Sequence, residues 1–169
     1  MPARLQPFLQ VDNALGADSC RQLAACEKIL AGMPQRPAVR HGEARAYYRP
    51  ATDTVNMPAR SLFPKAEHYY SVLFHELTHS TGHASRLDRA TLRDLLAFGD
   101  TNYSKEELCA EMGAAYLCGV AGIVNETVDN STAYIQGWLG RLRNDKTLLV
   151  QAAAQAQKAA DFILGASQG

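Results

Sequence analysis

Residues 75–79 read His-Glu-Leu-Thr-His, the pattern HExxH, and no proline or glycine falls between Lys65 and Thr81. In a helix, positions i and i+4 lie one turn apart on one face, so His75 and His79 can aim their imidazoles at one ion at about 2.0–2.1 Å. Glu76 sits beside the first ligand, close enough to reach a water at the ion, and is the candidate catalytic general base. A chance HExxH in a chain with five histidines is rare, and helical context makes it rarer. Mixed imidazole and carboxylate ligation in an open site suits Zn2+, the expected cofactor.

A catalytic zinc needs a third protein ligand. The extended pattern HExxHxxGxxH would require histidine where Ser85 stands, which excludes that three-histidine set. Downstream, Glu107 and Glu111 lie at i and i+4, followed by Gly113, Ala114 and Ala115, whose small size would let this helix approach the first closely. Ser104 and Glu107 also form a capping-box pattern, which would occupy Glu107 and leave Glu111 as the ligand. His83, Tyr103 and Tyr134 are candidates for transition-state or substrate contacts, although His83 also suits the closure of a helix end after Gly82. Arg86 and Arg89 read as a solvated turn with local ion pairs, and His41 and His68 as solvent-exposed.

The elements that must position these groups follow from periodicity. Residues 15–32 have helical spacing, with Asp18 or Ser19 as cap and Gly32 with Pro34 as the stop. Residues 38–57 alternate in a way that reads as a hairpin or two short strands. Pro64 suits the first position of a central helix carrying Tyr69, Tyr70, Leu73, Phe74 and Leu77 up to Gly82. A polar loop with Gly99, Asp100 and Asn102 precedes a helix from about Ser104 to residues 119–122. Helices over residues 131–143, carrying Tyr134, Trp138 and Leu142, and over 145–164, with the stripe Leu149, Ala152, Ala153, Ala156, Ala160 and Ile163, complete the chain.

The 169 residues are 47% hydrophobic, with 17 basic against 17 acidic side chains. That composition supports a packed core and excludes wholesale disorder, and zero net charge provides no broad pull toward nucleic acid or an anionic membrane. Cys20, Cys26, Cys109 and Cys118 lack CxxC spacing and read as small buried hydrophobes. No segment has signal-peptide or membrane-spanning character, so a cytoplasmic protein without membrane partners is expected. Nothing divides the chain, so residues 1–169 read as one domain, in which the family resemblance given next spans 37–165 and leaves 1–36 as a helical extension.

Glu107-Leu-Cys-Ala110-Glu111 resembles the ExxAD or ExxAN signature that follows HExxH in glutamate-type zincin peptidases. That likeness implies Glu107 as metal ligand and Glu111 as the group orienting a ligand histidine. More widely, residues 69–83, 86–89, 103–118, 133–142 and 152–164, with Ala46-Tyr-Tyr48, Asp53 and Met57-Pro58, are similar to the C-terminal metallopeptidase domain of ArdC-type antirestriction proteins. Related segments occur in TraC-type plasmid primases. The resemblance implies an α+β fold, mostly helical and zincin-like with a small antiparallel sheet. It implies a zinc peptidase of a mobile genetic element that hydrolyses peptide bonds in a protein or peptide substrate. A host restriction or DNA-associated protein is the partner class. The first 36 residues are too short for the single-stranded-DNA-binding domain of full-length ArdC proteins, so this domain alone is not expected to bind DNA. Substrate would lie extended along the strand edge at residues 44–49. The alternative is a non-catalytic, metal-stabilised module that inhibits a restriction enzyme or another DNA-associated protein.

Overall fold

A computed structural model describes residues 6–98, 100–124, 127, 136–138, 140 and 142–166. The element order is α1 (Gln6–Gly32), β1 (Ala38–Arg40), β2 (Tyr47–Arg49), β3 (Thr54–Asn56), α2 (Ala66–Thr81), α3 (Ala90–Phe98), α4 (Asp100–Ala121) and α5 (Lys146–Ile163). Single 3-10 turns at Pro50–Thr52 and Arg60–Leu62 join β2 to β3 and lead into α2. The expected α+β architecture, mostly helical with a small sheet, is what forms. The sheet order is β1-β3-β2, with β2 antiparallel to β3 but β1 parallel to it, so the sheet is mixed rather than purely antiparallel. Among the described residues no helix is long and apolar enough to cross a membrane.

The core forms where α2 lies between the sheet and the other helices. Tyr69, Tyr70, Leu73, Phe74 and Leu77 recur at helical spacing and are all buried, packed with Cys26, Ile29 and Leu30 of α1, Val55 of β3, Leu117 of α4 and Ile163 of α5. Fully burying side chains of this size contributes about 1.5–3 kcal/mol each. Asp145 caps α5 by accepting from the Leu148 N–H at 2.9 Å.

Several local expectations give way. The first helix starts at Gln6, so Asp18 and Ser19 are interior positions and not caps. The stretch read as a polar loop is helical on both sides of Gly99, in α3 and from Asp100 in α4. Leu149 is exposed, and Ala159 takes a core position in its place. Three cysteines are buried, but Cys20 is exposed. Gly82 ends α2 with a right-handed φ of −74°. Glycine is needed there for space, since a Cβ would meet Arg89 Nη2 at 2.9 Å and Leu92 Cβ at 3.0 Å. The helix expected over 131–143 lies largely outside the described residues; residues 136–138, 140 and 142–144 are helical.

Candidate metal centre

The one-turn spacing on α2 brings His75 and His79 edge to face, with ring centroids 4.8 Å apart and their Nε2 atoms 3.1 Å apart. Glu107, from the middle of α4, completes the group: Oε2 lies 3.3 Å from His75 Nε2 and Oε1 3.2 Å from His79 Nε2. Ligand atoms of these three residues all fall within 4.8 Å of one another. Each ring's other nitrogen meets a carboxylate, His75 Nδ1 with Glu111 Oε2 at 3.2 Å and His79 Nδ1 with Glu106 Oε1 at 3.1 Å. A carboxylate at Nδ1 holds a proton on that nitrogen, so that both Nε2 atoms, turned toward the Glu107 oxygens, are the positions that would present lone pairs to an ion. Acceptors this close repel unless a cation or shared protons lie among them. Two imidazoles bound tetrahedrally at about 2.0–2.1 Å would hold their nitrogens about 3.3 Å apart, close to the spacing seen.

Why α4 can do this is local. It begins at Asp100, so Ser104 sits in the second turn and cannot be the N-cap; the capping box that would have occupied Glu107 does not form. Glu107 and Glu111 then share one face toward His75, and Glu106, about 100° around the helix, turns toward His79. Contact with α2 is close at Gly113, where a Cβ would lie 2.5 Å from Thr78 Cγ2.

Glu106 is the residue that sequence reasoning passed over. It is fully buried and accepts from Arg89 Nη2 at 2.6 Å, Arg89 Nε at 2.8 Å and Thr91 Oγ1 at 2.5 Å, besides facing His79. Arg89 itself is buried and also donates to Thr81 Oγ1 and the Thr78 carbonyl, so its expected place in a solvated turn is wrong. Arg86 is likewise drawn inward: it pairs with Asp53 at 2.9 and 2.7 Å and donates to the carbonyls of Gln35 and Ser80. The signal in both cases was a long-range partner, which spacing along the chain does not reveal.

The electrostatics follow from this packing. Burial pushes the Glu106 carboxyl up, but Arg89 and His79 outweigh it and hold it at about 2. Burial also opposes ionisation of Glu107, and His75 and His79 overcome it, keeping the group well below the usual carboxylate range. For His75 burial disfavours the charged ring, yet Glu107 and Glu111 raise it to about 10 in the metal-free protein. Burial lifts Glu76 above its ordinary value against the pull of His79 and His75, the direction that suits a proton acceptor working near neutral pH.

Glu76 faces the sheet beside the Tyr48 backbone of β2, whose nearness opposes the rise that burial gives its carboxyl. Tyr48 is held in turn by its hydroxyl, which donates to Asp53 Oδ1 at 2.8 Å. Asp53 occupies a left-handed conformation at φ 47° after the 3-10 turn and is the group clamped by Arg86. A chain of contacts from the end of α2 therefore sets the height of β2 over Glu76. The strand is shorter than the sequence indicated, Tyr47–Arg49 alone.

The remaining candidates are less central. His83 follows the helix end and its Nδ1 is 2.8 Å from Ser85 Oγ. Tyr134 and the side chain of Tyr103 lie outside the described residues. His41 is exposed, with Nε2 2.8 Å from the Tyr69 hydroxyl, and His68 is half-buried.

A model of the MPTase-PolyVal family, zincin-like metallopeptidases, matches residues 24–155. The chain belongs to this family. The chain is 42% identical over 143 residues to a DNA primase TraC of Escherichia coli, covering 84% of this chain and 13% of that protein. It is 40% identical over 126 residues to the uncharacterized protein y4eC of Sinorhizobium fredii (strain NBRC 101917 / NGR234), covering 74% of this chain and 40% of that one. Its fold superposes on the crystal structure of the antirestriction protein ArdC from plasmid R388 in its Mn(II)-bound form. That match has a TM-score of 0.67 and 40% identity, over 85% of this chain and 52% of that one. The metal-free ArdC structure gives 0.62 at the same identity, over 82% and 48%. The chain thus spans about half, or less, of the length of these relatives.

Proposed function

We propose that this zincin-like domain is a zinc-dependent peptidase in which His75, His79 and Glu107 hold the ion and Glu76 is the general base. The observation that carries it is the convergence of two imidazole nitrogens and a carboxylate within 4.8 Å, with each ring's far nitrogen on a carboxylate of α4. The donor set fits a divalent ion, and two imidazoles favour zinc over manganese in the usual affinity order, although the ArdC relative is a manganese complex. Bound there, the ion would polarise the scissile carbonyl and make water more acidic.

The chain's own groups do the rest. Glu76, raised by burial, takes the proton of the attacking water and passes it to the leaving amine. Glu111 and Glu106 fix the imidazole tautomers. The free edge of β2 pairs with an extended substrate through main-chain hydrogen bonds. His83, Tyr103 and Tyr134 are the candidate donors to the oxyanion; His83 must leave Ser85 to serve.

Likeness to an antirestriction protein of a plasmid and to a TraC primase supports a mobile-element antirestriction factor acting on host proteins. A second reading, a binding module stabilised by its metal, is favoured by the way the cluster fastens α2 to α4 through buried groups, which would serve folding without any cleavage. Glu76→Gln separates the two. A peptidase loses about 10²–10⁴-fold in peptide cleavage and its protection against restriction, with zinc content unchanged by elemental analysis. Full protection after that change selects the binding module. His75→Ala and His79→Ala should each remove stoichiometric metal, and metal that survives either refutes the ligand set.

A further inference from the structure

The face of the sheet turned away from the core carries a charge that the balanced composition conceals. Residues 36–49 hold Arg36, Arg40, Arg45 and Arg49 against Glu43 alone, in a chain with equal numbers of basic and acidic residues. Strand register puts Arg40, Asn56 and Tyr47 in one cross-strand row and Thr54 with Arg49 in the next, while Val39, Val55 and Tyr48 take the opposite face. A cavity of about 310 Å³ opens there, lined by Arg40, Arg49, Tyr47, Thr52 and Thr54 and by one carboxylate, Glu43, which is taken up by the Tyr47 hydroxyl. Arg49 and Arg45 lie 5.1 and 5.8 Å from the centre of the Tyr47 ring, and the Tyr47 hydroxyl donates to Glu43 at 2.7 Å. Among the described residues none of Arg40, Arg45 and Arg49 is in an ion pair. The floor is fixed, because the Asn56 side chain donates to the carbonyls of Glu43 and Arg45 and accepts from the Gly42 N–H.

The same strand borders the metal cluster. β2 is an edge strand, and its Tyr48 backbone lies beside Glu76. A polypeptide added to that edge would alternate its side chains between the metal side and the outer face. Residues opposite Tyr47 or Arg49 would then stand about 4.5–5.5 Å from them, Cβ to Cβ. We propose that the outer-face cavity is a subsite that receives an acidic side chain of an extended polypeptide lying along β2, so that acidic segments are preferred. This rests on the peptidase reading of the metal centre. A polypeptide is favoured over nucleic acid because the subsite is continuous with a free strand edge, which a peptide main chain can pair with and a phosphate backbone cannot.

The test uses the full chain carrying Glu76→Gln and loaded with zinc, with fluorescein-labelled decapeptides of alternating Glu-Thr and alternating Lys-Thr sequence, read by anisotropy. The Glu peptide should bind about three- to tenfold tighter, the scale of one or two solvent-facing charge contacts. Arg40→Glu with Arg49→Glu should abolish or reverse that preference, and Arg49→Lys should retain most of it. Equal affinities, a preference that survives charge reversal, or displacement of the peptide by a dT10 oligonucleotide or inorganic phosphate at lower concentration than by unlabelled Glu peptide would each overturn the proposal. Cleavage is read separately with the unsubstituted protein. An acidic binding preference without cleavage sinks the peptidase reading and upholds the subsite, whereas cleavage indifferent to acidic residues does the reverse.

Discussion

The two carboxylates behind the histidines do the same chemical task in different surroundings, and replacing each by its amide should separate metal affinity from fold stability. Glu106 has a fully buried side chain and holds Arg89 by two hydrogen bonds, and Arg89 is only 4% exposed. Glu106→Gln therefore strands a cation in the interior, which costs about 3–5 kcal/mol. For a chain of this size that corresponds to a melting temperature lower by about 6–20 °C. Glu111 is 18% exposed at its side chain, and the partner seen is His75 Nδ1, so Glu111→Gln should cost less, about 1–2 kcal/mol. Zinc affinity, read by competition with a chelator, should fall about 10–100-fold in both, since each histidine loses its orienting partner. Acid titration adds a sign. Glu106 is held at about 2 against an ordinary 4.5, so its stabilisation is complete above pH 4.5 and fades as pH falls toward 2, and the gap between wild type and Glu106→Gln should close over that window. Equal melting temperatures for the two variants, or a gap constant through that window, would refute the argument. Replacing the pair together, as Arg89→Met with Glu106→Leu, should recover much of the lost stability without restoring metal affinity.

Other perturbations test neighbouring links. In the metal-free protein His75 keeps its proton up to about pH 10, so the stabilisation this gives is complete below pH 6.5 and is lost as pH rises toward 10. Metal requires neutral rings, and both histidines are shifted upward in the metal-free protein, so calorimetry at pH 8 in buffers of different ionisation enthalpy should show net proton release on binding; a buffer-independent enthalpy would contradict it. Gly113→Ala should destabilise by about 1–3 kcal/mol in chemical denaturation, because the clash with Thr78 outweighs a helix-propensity gain of about 1 kcal/mol. Asp53→Ala leaves Arg86 without its carboxylate and should lower stability by about 1–3 kcal/mol. It should also slow peptide turnover through the loosened β2, while Asp53→Asn recovers part of both.

The parts of this molecule that could be read in advance are those whose determinants are close along the chain. His75 and His79 are one turn apart, so their juxtaposition needs only the helix, and the Tyr69 to Leu77 stripe needs only its period. The pairing of Glu107 and Glu111 is equally local, but which of them faces the rings depended on where α4 starts. Ser104 looked like a cap because Gly99, Asp100 and Asn102 look like a loop, yet packing of α3 and α4 against each other overrides that polarity. Arg89 was misjudged because Asp88 beside it offered a nearby surface partner, when the group it meets is Glu106 on another helix. The parallel pairing of β1 with β3 likewise depends on a crossing that alternation alone cannot encode.

The unequal depth of the two histidine supports sets an order of events for ion traffic. His79 is locked from behind by the Arg89 and Glu106 pair, whereas His75 leans on a carboxylate within reach of solvent. A chelator or donor protein exchanging an ion with this chain would loosen the bond to His75 first and that to His79 last. The half-loaded state would keep α4 seated on α2, so the cation can come and go without the helices parting.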